Sequence, residues 1–435
     1  MEYPVSLGFK TTKADTRRIS FFEYLFVFIL IIYAGHANKF VVSTSIIDNP
    51  IWFTLLIVLS GILAVKWTIV YNRQFYILIA CYFIYFVGIS VKYNEIRPTF
   101  FLNNFFLFFI TYATVKALKI NLFRIYESAM YFFAIIGLIM WGIQIILGGD
   151  TLYNYFGRIS SIDTFSFVSG NGLNAVLYSV QPTTASLQFD FLPPRNCGFA
   201  WEPGGFASFL CLAIFINLFF FKGDRKGNIR FWVLLAALIS SQSTTGYTIF
   251  IVIILFYYYN RKQKFIILLW PILIAAIIFI FSLPFMINKI VSLMRETSQI
   301  DMMVEWSIGR EESINPQRFA SFAIAFRDFL DNPLLGLGGK AEESWTAKIG
   351  ANVSTISGIG NLLAQYGVVG LLFFLMASYK TSCFYAKSFN YSGKVLFFVI
   401  IFFMSISYGI ILLPLLMSFW MFQLFTPRNF NQKET

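Results

Sequence analysis

Histidine is almost missing from this chain. The only one, His36, stands at the end of the first apolar run. That removes most histidine-dependent acid–base and metal chemistry, and at such a place the side chain reads as an interfacial anchor. Cysteine is scarce as well. Cys81, Cys197, Cys211 and Cys383 show no C-x-x-C spacing, and three fall in or beside apolar segments, which argues against a disulfide framework or a zinc site. Charge is thin: 12% of residues are charged, where a soluble domain carries about a quarter. With 58% hydrophobic residues and a mean hydropathy of +0.70, the composition excludes a soluble globular protein. The net charge of +12 comes without a basic run interleaved with aromatics, so nucleic acid is not the implied partner. There is no Walker loop, because Gly336 to Gly339 is not followed by Gly-Lys-Ser/Thr, and there is no H-E-x-x-H or metal-ligand cluster. Acidic pairs such as Glu311-Glu312 and Glu342-Glu343 read as solvated charge. Solenoid-type repeats are absent. The polar, basic first 19 residues lead into an apolar run with no small-residue cleavage pattern, so no cleavable signal peptide is predicted.

What is present is a series of apolar segments near the length of about 20 residues that crosses a bilayer. They are 20–36, 51–70, 75–92, 98–115, 128–147, 204–221, 265–288 and 353–379, with Pro271 and Pro284 as kinks in the seventh. The stretch 231–259 is long for one helix and is broken by Ser240 to Gly246. Both its flanks are basic, so it reads as two short helices with the turn on the outer side. The stretch 395–424 reads as a hairpin. The expected fold is all-α and polytopic, with about 12 transmembrane helices in one integral membrane domain over residues 1–435 and both termini in the cytoplasm. The 54 phenylalanines suit lipid-facing helices and aromatic belts.

Two long polar loops, 148–203 and 289–352, fall on the outer side. Inward loops and tails, with Lys66, carry 21 of the 33 Lys and Arg, and the short outward loops carry only Lys39, Lys92 and Arg97. The nine others lie in the two long loops, which are largely exempt from the orientation rule. In the second loop Phe319, Phe322, Phe326 and Phe329 recur at helical steps, predicting an amphipathic helix near 317–331 that ends at Asn332-Pro333.

The candidate chemistry sits where these loops meet the membrane. Arg195 lies in the segment Pro193 to Gly205, and Arg318 opens the amphipathic helix. A guanidinium presents a planar fork of donors that suits phosphate oxygens. Such groups at headgroup level fit a lipid-linked diphosphate. Each arginine could instead pair with a nearby carboxylate (Asp190 or Glu202; Asp328 or Asp331) or anchor to lipid headgroups. Glu202, followed by Pro203-Gly204-Gly205 and a helix, would be partly desolvated and so suited to act as a general base. It could equally complement a helix N-terminus. Hydroxyls of the Ser240–Gly246 turn, Ser243 and Thr244 among them, could bind sugar, or cap a helix. Ser354, Ser357, Gly358, Gly360 and Asn361 carry the same two readings.

The order of these features resembles one superfamily. A long loop ends in Arg195, Gly198, Phe199, Glu202, Pro203 and Gly204. A Ser/Thr-rich helix break follows (Ser241 to Gly246), then Arg318 with Phe329 to Gly338, then Gly360 to Gly370. Over roughly residues 150–375 this is similar to the O-antigen polymerase (Wzy) and O-antigen ligase superfamily. The resemblance implies glycosyl transfer on the outer face of the bacterial inner membrane and an all-helical membrane glycosyltransferase (GT-C-like) fold. It implies no bound metal and no cofactor. It also implies undecaprenyl-diphosphate-linked glycan substrates, a possible chain-length regulator as partner, and loop arginines (here Arg195 and Arg318) that grip the diphosphate. Ligases of the superfamily carry a histidine in the second loop. Here Gly350 to Gly358 has none, which favours a polymerase of O-antigen or similar surface polysaccharide and leaves the base unidentified; Glu202 is the candidate on the desolvation argument above. A lipid-linked oligosaccharide transporter is the rival from another class. Transporters, however, concentrate polar residues at the midplane of broken helices, and this chain places them in two loops. A non-enzymatic assembly protein would not need the arginines.

Overall fold

A computed structural model describes residues 19–35, 50–69, 71–160, 168–169, 172–174, 176–180, 193–221, 228–261, 299–309, 314, 316, 318–407 and 409–426. His36, Asp190, Glu311, Glu312, most of the basic stretches 222–230 and 261–264, and the expected span 265–288 with Pro271 and Pro284 lie outside the described residues.

Peptide groups in hydrocarbon need partners within the chain, and apolar runs of this length meet that need as helices. Helices α1 (Phe21–Ala34), α2 (Pro50–Lys66), α3 (Arg73–Tyr93), α4 (Pro98–Leu118) and α5 (Asn121–Leu147) answer the first five apolar segments. Local chemistry marks their ends. The Asn72 side chain caps α3 by accepting the Phe75 N–H at 2.9 Å, and Asn94 closes it in the left-handed region. Pro98 opens α4, where its missing N–H costs nothing. Helix α5 starts earlier than the expected 128 because Asn121, Phe123, Tyr126 and Glu127 are buried against the bundle.

Helix α6 (Gly149–Ser160) begins the first loop and packs on a three-stranded antiparallel sheet of β1 (Val168–Ser169), β2 (Gly172–Asn174) and β3 (Ser179–Val180). The register pairs Val168 with Leu173 and Leu173 with Val180. This small sheet amends the expectation of a purely helical chain. Tyr178 ties it to the bundle by donating to Gln144 Oε1 at 2.8 Å.

Helix α7 (Pro203–Phe215), prolonged by a π-helical turn over Ile216–Phe220, is the centre of the molecule, and its most apolar window is wholly buried. Helices α8 (Ile229–Ser240) and α9 (Thr244–Asn260) confirm the break at 240–246. Beyond them lie α10 (Ile300–Trp306), the amphipathic α11 (Arg318–Asp331), α12 (Gly358–Ser388), α13 (Leu396–Ser407) and the short α14 (Pro414–Trp420). Among the described residues five helices are long and apolar enough to cross a membrane, and five shorter apolar ones accompany them. The protein is therefore mostly helical and multi-pass.

Contacts sort the helix ends into two sets. At one end Lys66 Nζ donates to Ser20 Oγ at 2.9 Å, and the Asn72 N–H donates to Tyr112 at 2.9 Å. The buried Glu127 is satisfied there by Arg230 at 2.6 Å and Asn217 at 3.0 Å, as a charge at that depth requires. The other end gathers the C-termini of α1, α3, α5 and α8, the N-termini of α7, α9 and α12, and the described parts of both loops.

At this loop end α12 is broken. Gly367 adopts φ 61°, ψ −159°, a conformation open almost only to glycine. The segment after α11 fills the break. Pro333 O and Leu334 O accept the N–H groups of Val368 (2.8 Å) and Val369 (3.4 Å). Leu337 and Gly338 donate in return to Ala364 O (2.8 Å) and Gln365 O (2.9 Å). The sequence runs Asn332 to Gly339 and Gly360 to Gly370 are thus one structural unit. Irregular backbone within the bundle is tolerated because the other run satisfies it.

Candidate functional site at the loop end

The segment 193–202 is held from several sides. Trp141 Nε1 donates to Pro194 O at 2.6 Å, and Gln242 Nε2 donates to Pro193 O at 3.0 Å. Asn196 is buried and bonds Ser240 twice, through its N–H to the backbone oxygen (3.0 Å) and through Nδ2 to Oγ (2.8 Å). Gly198 sits at φ 51° with the Phe206 ring 2.5 Å from where a Cβ would stand, so the turn needs glycine. Phe199 packs among Phe133, Phe206 and Phe209, and the Trp201 N–H donates to Gly35 O at 3.0 Å. Burial pushes the Cys197 thiol up to about 12, although the Arg195 charge opposes it. Most of this motif is therefore scaffold. Arg195 and Glu202 are its half-buried polar members.

Arg195 Nε donates to Ser241 O at 3.4 Å. Among the described residues Arg195 pairs with no carboxylate. Glu202 is the residue before α7, yet its side chain makes no capping bond. Its Oε1 instead accepts from Arg318 Nη2 at 3.1 Å, with both side chains about a quarter exposed (27% and 23%). Arg318 Nη1 donates to Thr245 Oγ1 at 3.3 Å. Both guanidinium groups therefore rest on one turn, at Ser241 and Thr245, where α9 begins. A helix N-terminus adds partial positive charge there.

Of the carboxylates weighed for Arg318, Asp331 is exposed at the opposite end of the same helix and Asp328 is engaged elsewhere. Asp328 Oδ1 accepts the Trp345 N–H at 2.7 Å, while Arg327 lies over Trp345 and 3.6 Å from Asp301. The capping reading describes Ser243, which is buried and accepts the Gly246 N–H at 3.2 Å. Thr244 is half-buried in the first turn of α9. Asn361 Oδ1 accepts from Thr355 Oγ1 at 2.6 Å and Nδ2 donates to Thr355 O at 3.1 Å, so its polar groups shape the turn before α12. Sequence reasoning missed Thr245. Its neighbours Ser243 and Thr244 look the same as a string, and only the approach of Arg318 distinguishes it.

Asp328 carries a pH prediction. Burial pushes its carboxyl above the usual carboxylate range, against the lowering effect of the Trp345 N–H. The folded chain then holds this proton more tightly than the unfolded one. Its contribution to stability is full below the ordinary carboxylate value and is lost as pH rises through the raised one. Asp328→Asn keeps an oxygen acceptor and removes the titration. Its melting temperature in detergent should exceed wild type at about pH 7 and match it near pH 3, as read by differential scanning fluorimetry.

Comparison with known families finds a match over residues 229–375 to the family model described as O-antigen ligase. The matched stretch holds the α8–α9 break, Arg318 and the broken α12, and it stops short of Arg195 and Glu202. No curated protein matches the chain. Over residues 229–375 the chain is similar to the O-antigen ligase family, which supports the O-antigen polymerase/ligase superfamily and a glycosyl-transfer type of activity.

Proposed function

We propose that this chain is a membrane glycosyltransferase that polymerises undecaprenyl-diphosphate-linked oligosaccharide repeat units at the outer face of the bacterial cytoplasmic membrane. The observation that carries the reading is the meeting of Arg195 and Arg318, from two different loops, on the turn 241–245 beside Glu202. The growing chain binds with its diphosphate against the two guanidinium groups. The diphosphate competes with Glu202 for Arg318, so substrate binding loosens the ion pair and leaves the carboxylate to act on the acceptor. A sugar hydroxyl of the incoming unit attacks the anomeric carbon as Glu202 takes its proton. The bond from that carbon to the phosphate oxygen breaks, and the lipid diphosphate leaves with the electron pair. Arg195 and Arg318 stabilise the charge that develops on it. Thr244 is in reach of the same turn as a sugar contact, whereas Ser243 and Asn361 contribute by shaping their turns.

A ligase reading has the description of the matching family on its side. Against it, the matched stretch contains no histidine, which leaves a carboxylate as the base. The test uses purified protein in lipid vesicles with a lipid-diphosphate-linked repeat unit, in the presence of EDTA. A ladder of longer glycans is expected from wild type, and Arg195→Ala should lose it. Transfer of the glycan to a lipid A–core acceptor, with no ladder, would replace this reading by the ligase one.

Glu202→Gln keeps the size of the side chain and an oxygen acceptor for Arg318 but removes the base. Chain extension should fall about 10²–10⁴-fold, with binding of the lipid diphosphate no weaker than in wild type because its competitor for Arg318 has lost its charge. Full extension by Glu202→Gln would leave Glu202 as a partner for Arg318 and nothing more.

A further inference from the structure

We propose that the turn between α3 and α4 is a positioning element for Arg318, with Lys92 and Arg97 as positioning residues that act through the segment 332–339. The proposal rests on the reading that Arg318 grips a diphosphate. Both cations lie far from the family match in sequence, yet both reach into it. Lys92 Nζ donates to Asn332 Oδ1 at 2.5 Å and to Gly336 O at 2.9 Å. Tyr93 donates to the same Asn332 oxygen at 3.3 Å. Arg97 Nη1 donates to Gly339 O at 3.3 Å, and its guanidinium pairs with Glu342. Lys340 answers from the loop by pairing with Glu95 at 2.6 Å. Deeper in the bundle, the Tyr85 hydroxyl lies within donating distance of both Leu335 O (2.8 Å) and Gln365 O (3.1 Å), which ties α3 to the inserted segment and to the first half of α12.

The segment has no slack. A Cβ on Gly336 would meet the Ala364–Gln365 backbone, on Gly338 the Ile89 side chain and on Gly339 the Phe100 ring, each at 2.5 Å. Asn332 is also the point where α11 ends, its N–H bonding Asp328 O at 3.1 Å. Lys92 therefore holds the C-terminal end of α11 and sets a cation where the helix dipole favours one. Arg318 is the first residue of the same 14-residue helix. A helix of that length is a rod of about 20 Å, so its height at one end sets its height at the other. The approach of Arg318 to Glu202 and Thr245 is then decided partly by α3, which lends no side chain to that site.

The test uses full-length protein in vesicles, with Lys92→Met to remove the donor, Lys92→Arg to restore one, and Arg318→Lys as the background that leaves measurable turnover. Hydrogen exchange of the amides of 334–339, read by mass spectrometry, should quicken about tenfold in Lys92→Met and return in Lys92→Arg. Turnover by Lys92→Met should fall about tenfold in kcat with little change in KM, and in the Arg318→Lys background the same change should cost less than about twofold. Unchanged exchange overturns the proposal. So does a full multiplicative loss in the Arg318→Lys background, which is what general destabilisation would give. If Lys92→Met does not fold, Lys92→Gln replaces it, because its shorter neutral side chain also gives up the hold on Asn332 and Gly336; exchange of the same amides should quicken, and unchanged exchange overturns the proposal. Full activity of Arg318→Ala would sink the functional reading instead, and the exchange experiment would still decide whether the α3–α4 turn holds the segment.

Discussion

Arg318→Ala should reduce chain extension by purified protein about 10²–10³-fold, the size of effect seen when a donor aimed at developing charge is removed. Three things are lost at once. The diphosphate loses a planar donor, Thr245 loses the partner 3.3 Å away, and Glu202 is left half-buried without its cation. Hydrogen bonds to charged groups contribute about 1.5–3 kcal/mol each, so two such losses suffice for that range. Arg318→Lys should recover only part of the rate, because an ammonium cannot hold two acceptors in a fork. The measurement is the initial rate of ladder formation, beside a melting curve that shows each variant folded. A rate within about threefold of wild type in a folded Arg318→Ala protein would remove this residue from the chemistry and leave the pair as a tie between loops.

Gly367→Val should cost a large share of the stability of the bundle. The residue sits at φ 61°, ψ −159°, and a Cβ there would stand 2.4 Å from Leu334 O and 2.8 Å from the Gly336 nitrogen. Forcing a side chain into such a conformation costs about 1–3 kcal/mol. Overpacking adds about 1–3 kcal/mol more, and the clash is with backbone, which cannot swing aside. Against a total of about 5–15 kcal/mol for a typical fold, a loss of about 2–6 kcal/mol should show as a collapse in folded yield and melting temperature. Gly367→Ala should already show most of the loss, since the conformation and the clash both begin at Cβ. A Gly367→Ala protein that melts like wild type would mean that α12 can run straight without its partner segment.

The class of the molecule and the order of its helices were legible in the amino-acid string. Apolar length does not depend on neighbours, so α3, α4, α7 and the break between α8 and α9 lie close to where hydropathy and the Ser/Thr turn place them. The phenylalanine spacing and Asn332-Pro333 similarly mark α11. Arg195, Glu202 and Arg318 stood out because charged side chains are few and these lie where loops enter the bundle. Their relations to one another came only from the packed fold. It paired Glu202 with Arg318 across 116 positions of sequence, set Arg195 on Ser241, and distinguished Thr245 from its equivalent neighbours. It also showed that the two glycine-rich runs after Arg318 complete each other's backbone, and that Lys92 and Arg97 brace them. The physical reason is the same in each case. Helix formation answers to chain length, hydropathy and the few residues at each end, which are local. Hydrogen bonds between loops answer to which surfaces the packed helices bring together, and no single stretch of sequence carries that information.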